Sequence, residues 1–324
     1  MIGKRAELRA LAALLLAGAG ACATPPPAPA PLPALPAGHE LVLAGERVPI
    51  DAPVVLWTEE PFYDAYREGP RFAAEGKAGP RCRRGREART PELAARVELE
   101  GWTRADLREQ VDQFVIHYDV CGTSRTCFRV LQDERQLSVH FLLDVDGTLY
   151  QTLDLSETAW HARTANPRSI GVEIANVGAY PAGERARLLA RYEWSEAGVR
   201  LALTPAERAG LRWPAFPGAP ARARLVVGPI HGARLEQFDF TPEQYRSLAA
   251  LAAALAREFP AIALDAPRDA EGHVRTDALS DEEEAHFHGV LGHYHLQTDK
   301  SDPGPAFDWE RFLAEARAGS TPRP

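Results

Sequence analysis

The stretch VHFLLDVDGTLYQTL, residues 139–153, most narrows what this chain can become. Two apolar runs flank Asp146-Gly147, and Asp-Gly supplies the positive φ angles that a tight hairpin turn needs. A hairpin alone is marginal in water, so this one predicts further strands beside it or helices across it. The chain offers both. FVIHYD (114–119) and SIGVEIANV (169–177) read as strands, VVLWTEE (54–60) as another, and RTCFRVLQDER (125–135) suits a helix. TPEQYRSLAALAAALAREF (241–259) is the clearest helix: Thr241 caps it, Pro242 suits its first turn and Gln244 completes a capping box. Tyr245, Leu248, Leu251, Leu255 and Phe259 then line one apolar stripe. Thr103 predicts the cap of a short helix reaching Gln110, and Thr204 with Glu207 predicts another capping box. Strands interspersed with helices predict an α/β fold, a central mixed β-sheet flanked by helices, in a single domain carrying an insertion.

With 324 residues, 45% hydrophobic and 25% charged, the chain can bury a substantial core. Its 45 acidic against 37 basic residues give a net charge of −8, so nucleic acid is not an expected partner. The arginine-rich GPRCRRGREART (79–90) reads as a solvated surface loop. Residues 178–240 are rich in Pro, Gly and Arg and read as an elaboration on the core, placed as a wall of a substrate groove.

The first 22 residues carry a basic start, an apolar run over Leu11–Ala17 and small residues ending at Cys22. That is the pattern of a signal peptide, and the run is too short to span a bilayer. Small residues before a cysteine resemble a bacterial lipobox, although alanine stands at position 19, three before the cysteine. Cys22 is then the expected lipidation site, and the protein is expected to be exported, periplasmic and lipid-anchored at the outer membrane. The Pro/Ala-rich 23–40 reads as an extended tether. The domain is expected over 41–312, with a C-terminal tail over 313–324. Export permits disulfides. Cys121 and Cys127 are spaced to close a small loop, but Cys82 is a rival partner for either and spacing does not choose.

Chemistry concentrates in a few places. His117 closes a predicted strand. In GVEI, alternation puts Val172 and Ile174 on one face and Gly171, Glu173 and Ala175 on the other. A carboxylate flanked by small residues on a strand face is costly to bury alone, so it should meet water or a cation. Arg168 is the bland alternative partner for Glu173. GHYHLQTDKSDPGPAFDW (292–309) places His293, His295, Lys300 and Asp302 in one stretch, with Phe307 and Trp309 reading as core anchors. Two imidazoles and a carboxylate suit a catalytic divalent metal, which takes three protein ligands and keeps one position open. His140 reads as a residue inside the sheet, and His231, His273, His286 and His288 as ordinary packed or surface histidines.

FVIHYD, SVHFLLDVDGTLYQ, AWHA, SIGVEI and GHYHLQTDKSDPGPAFDW fall in the order seen in the zinc-dependent N-acetylmuramoyl-L-alanine amidases of the type 2 class, which includes the peptidoglycan-recognition proteins. The chain resembles that family over roughly residues 112–178 and 241–312. The resemblance implies one Zn²⁺ held by His117, His293 and Asp302, with His295 as a rival to His293. It implies catalytic roles for Glu173, as proton acceptor and donor, and for Lys300, as stabiliser of the oxyanion. It implies that His161 and its neighbour Trp160, in AWHA, bind substrate, and that Cys121 and Cys127 pair as in the recognition-protein branch. The implied substrate is peptidoglycan or its muropeptides, cut between N-acetylmuramic acid and L-alanine. A non-catalytic muropeptide binder and a zinc peptidase acting on the stem peptide are the alternatives.

Overall fold

In a computed structural model, residues 39–67, 71–72, 83–196 and 198–320 are described. The expected signal peptide with Cys22, most of the tether, and Cys82 lie outside them. Six strands carry the apolar runs: β1 (Val54–Leu56), β2 (Gln113–Tyr118), β3 (Phe141–Leu143), β4 (Leu149–Gln151), β5 (Ser169–Ile174) and β6 (Gly289–Gly292). They form one sheet in the order β6-β2-β5-β3-β4-β1. Every neighbouring pair is parallel except the β3–β4 hairpin, so the sheet is mixed. Gly147 sits in the hairpin turn at φ +84°, and a Cβ there would lie 2.9 Å from both the Cβ and the carbonyl oxygen of Glu243. Glycine is required on both counts.

Parallel strands are covered on both faces, and this sheet is. On one face, Ile116, Val172, Ile174, Phe141 and Leu143 pack against Leu248, Leu251 and Leu255. Those leucines come from α3 (Pro242–Glu258), the third helix labelled here after α1 (Arg104–Gln110) and α2 (Ser124–Arg129). On the other face, Val115 and Leu291 meet Ala162 and Ala165, while Leu142 and Tyr150 meet Cys127 and Phe128. Thr103, Thr204 and Thr241 each accept the N3 backbone N–H at the start of their helices and complete capping boxes there.

Three expectations change. The helix read over 125–135 runs only to Arg129 before widening into a π turn over Val130–Arg135. The arginine-rich loop contains a strand, Arg83–Gly85, antiparallel to Glu157–Ala159. Arg86 beside it is buried, its guanidinium spent on the carbonyls of Leu155, Pro167 and Ser169; five fixed N–H donors let it replace solvent with backbone oxygens. The boundary at residue 312 falls inside α4 (Trp309–Ser320), whose Phe312, Leu313 and Ala316 are in the same core as α3.

The inserted segment 178–240 folds as a three-stranded sheet, a two-stranded hairpin (Tyr192–Ser195 with Gly198–Leu201) and short helices around an apolar cluster that also takes in Val145, Ala175 and Val177. No helix among the described residues is long and apolar enough to cross a membrane.

Candidate metal centre

The parallel register builds the site. Ile116 pairs with Gly292, so the next residue of each chain segment, His117 and His293, stands at the same sheet end. On the other side His117 pairs with Glu173. Clefts beyond the carboxyl ends of parallel strands are where such sheets bind ligands. Asp302 arrives from the loop after β6, fixed there because the Asp302 carbonyl accepts the Tyr294 N–H at 3.1 Å. Gln237, from the inserted segment, donates to the Pro303 carbonyl and accepts from the Ala306 N–H, each at 3.0 Å. The insertion therefore steadies the ligand loop. The residues that line the cleft itself come from outside 178–240, while Ala179, Tyr180 and Arg187 of the insertion line a second hollow that shares Val120 with it.

His117 Nδ1, His293 Nδ1 and Asp302 Oδ2 form a triangle with 2.9 Å sides, and all three side chains are buried. Two imidazole nitrogens and a carboxylate oxygen aim their lone pairs at one point. A proton can bridge only a pair of them; a cation satisfies all three. The protonation states suit that. Burial and His293 push the His117 pKa down to about 4, so its imidazole is neutral at pH 7. Burial alone would raise Asp302, but His293 and His117 outweigh it and hold the carboxyl well below its usual range. The outer nitrogens are engaged as well: His117 Nε2 faces His161 Nδ1 at 2.9 Å, and His293 Nε2 meets the Gln297 side-chain amide at 2.5 Å. An outer partner that accepts, as His161 Nδ1 can for His117, fixes a ligating tautomer, whereas the Gln297 contact is made by a donor nitrogen. The cluster fits a divalent metal.

Glu173 is half-buried in the same cleft of ≈ 840 Å³, and its Oε2 has no hydrogen-bond partner. Burial, then the charges of Asp302 and Asp119, raise its pKa well above the usual 4.5. Its bland alternative fails, because Arg168 pairs with Asp112 at 2.7 Å. Lys300 and Trp160 also line the cleft. His295 is excluded from the cluster: its Nδ1 accepts the Gly292 N–H and its Nε2 donates to the Arg275 carbonyl, both at 2.9 Å. His140 is fully buried, with Nδ1 accepting from the Gly171 N–H. His231, His273, His286 and His288 stay outside the cluster.

The expected Cys121–Cys127 disulfide is absent; both thiols are free. The spacing does bring them together, but as hydrogen-bonded thiols. That contact, followed by burial among Phe128 and its neighbours, pushes the Cys127 pKa well above its usual range. Sequence reading also missed Asp119, one residue past the end of β2 and among the residues that line the cleft. Its Oδ1 accepts three backbone N–H groups, from Cys121, Gly122 and Asn176, and holds the cleft lip together. Burial lifts its pKa to about 7 despite those bonds.

No match was found among curated proteins. Among solved structures the chain is similar to a selenomethionine derivative of AmpD, at 20% identity and TM-score 0.33, covering 65% of this chain and 87% of that one. It is similar to the N-acetylmuramyl-L-alanine amidase AmiD from E. coli at 19% identity and TM-score 0.35, covering 67% of this chain and 59% of that one. A third likeness is to the hydrolase AmiA of Staphylococcus aureus, at 12% identity and TM-score 0.35, covering 71% and 94%. Likenesses this low carry no argument of their own. The family described as N-acetylmuramoyl-L-alanine amidase matches residues 107–305, a span that takes in every member of the metal cluster. That is well over half of the chain, and the protein therefore belongs to the N-acetylmuramoyl-L-alanine amidases, enzymes that hydrolyse the amide between N-acetylmuramic acid and L-alanine in peptidoglycan.

Proposed function

We propose that the cluster holds one Zn²⁺ and that Glu173 and Lys300 carry out the proton and charge work of amide hydrolysis beside it. The observation that carries the reading is the triangle of His117, His293 and Asp302 with the unpartnered Glu173 oxygen in the same cleft. Two imidazoles and one carboxylate are a donor set that zinc favours, leaving a fourth position open. When bound, the ion supplies Lewis-acid activation of water and of the scissile carbonyl. Glu173 accepts the proton of the attacking water and returns it to the departing L-alanine amine. Burial and the neighbouring carboxylates favour its acid form, so a proton it takes from water is held until the amine departs. Lys300 places a cation where the amide oxygen becomes negative. Trp160 offers an apolar wall against which a sugar or peptide can lie.

The test is mass analysis of muropeptides released from purified peptidoglycan. Glycan chains freed of peptide, and stem peptides with new L-alanine N-termini, are expected, and a chelator should abolish both. Unchanged muropeptides would favour a binding protein, and a new amine on any other residue would favour a stem peptidase.

We further propose an exported, periplasmic protein anchored at the outer membrane through Cys22, a reading supported by the basic, apolar and small-residue pattern of residues 1–22. Labelled palmitate should enter the wild type and not Cys22→Ser; equal labelling of the two would remove the anchor.

A further inference from the structure

His161, expected to touch substrate, lines the cleft, and both of its ring nitrogens also face protein groups. Nδ1 faces His117 Nε2 at 2.9 Å and Nε2 faces Ser169 Oγ at 3.3 Å. The two imidazoles stand edge to face, 5.1 Å apart at 85°. The strand beneath is shaped to seat the ring: a Cβ at Gly171 would lie 2.6 Å from His161 Cε1 and Nδ1. Ser169, Gly171 and Glu173 alternate on one face of β5, so a single strand supplies the partner of His161, its seat, and the carboxylate in the cleft.

We infer that His161 is a positioning residue for the metal, accepting the Nε2–H of His117 and thereby holding the His117 Nδ1 lone pair toward His293 and Asp302. The inference rests on the reading of that cluster as a metal site. A neutral imidazole has one N–H; if His117 offers Nδ1 to an ion, its proton must sit on Nε2. Among the described residues, the side chain bonded to that nitrogen is His161, whose Nδ1 then accepts while its own Nε2–H donates to Ser169. Behind His293 it is the amide nitrogen of Gln297, a donor, that meets Nε2. His117 thus has an outer partner that sets ring orientation and proton position, and loss of such a partner typically weakens metal binding about 10–100-fold.

The experiment measures zinc affinity of the whole protein by competition with a chromophoric chelator. H161F keeps a ring of similar shape but no acceptor, and is expected to bind zinc about 10–100-fold more weakly than wild type. H161N places an amide oxygen close to where Nδ1 stood and should recover most of that loss. In ¹⁵N–¹H spectra of the zinc-loaded wild type, the His117 ring proton should be on Nε2 and slow to exchange, and in H161F it should exchange quickly. Should H161F fail to fold, Gly171→Ala displaces the His161 ring without changing its chemistry and should also weaken zinc binding. Wild-type affinity in H161F or, if that variant does not fold, in Gly171→Ala would overturn the inference, as would an equal loss in H161N and H161F, which indicates packing alone. A wild type that takes up no zinc at all would instead remove the metal reading, a result distinguishable from either.

Discussion

Glu173→Gln is expected to keep its zinc and lose about 10²–10⁴-fold in turnover, the range that positioned proton transfer contributes. The substitution preserves size and hydrogen-bonding reach but cannot accept a proton. Glu173 lies beside His117 in the β2–β5 register, not among the three donors that converge, so metal content should stay at one ion per chain. The same change tests the electrostatics. Burial raises the Glu173 pKa in the folded protein above the ordinary 4.5. A raised carboxyl contributes stability that is fully present below the unfolded value and lost as pH rises through the folded one. The metal-free wild type should therefore lose stability as pH climbs above about 4.5, and Glu173→Gln should lack that part of the slope. Metal content, turnover on a muropeptide, and melting temperature against pH check the three statements together. A glutamine variant that turns over near the wild-type rate would sink the proton-transfer role, and one that loses zinc would mean that Glu173 is a ligand.

Local features were readable where one short segment decides the outcome. Thr103, Thr204 and Thr241 start helices because the cap and its N3 partner are three residues apart. Asp146-Gly147 turns the hairpin for an equally local reason. What sequence concealed depends on distant partners. Arg86 reads as solvated because nothing near it shows that the carbonyls of Leu155, Pro167 and Ser169 will surround it. His117 and Glu173 were each singled out on their strands, but their adjacency is a property of parallel register, which side-chain alternation does not encode. The short Gly289–Gly292 strand gives no sign of its own that it will lie beside Gln113–Tyr118 and deliver His293 to His117. The ordered motifs supplied that connection by resemblance. Resemblance also suggested the cysteine bridge, where the two thiols meet without bonding. His161 lies between the two cases: its motif marks the cleft, while its contacts with His117 and Ser169 depend on where the distant strands bring those residues.

Asp302→Ala should act in the opposite order from Glu173→Gln, losing the metal first and the activity as a consequence. Asp302 is the one carboxylate of the cluster, and its removal leaves two imidazoles facing an open vertex. Changes in the partners behind metal ligands already cost about 10–100-fold in affinity, so loss of a ligand should exceed the upper end of that range. The loop should keep its course, because the Asp302 backbone carbonyl still accepts from Tyr294 and Gln237 still clamps Pro303 and Ala306. Metal analysis after gel filtration should find the variant nearly empty, and millimolar zinc should restore part of its turnover. Acid stability supplies an independent reading. The folded pKa of Asp302 is depressed by His293 and His117, so its contribution is present above the ordinary 3.8 and lost as pH falls through the folded value. Metal-free wild type should show that acid-side loss, and Asp302→Ala should not. If the variant retained a full zinc complement, the ligand set would have to be redrawn, and with it the position of Glu173 relative to the reacting amide.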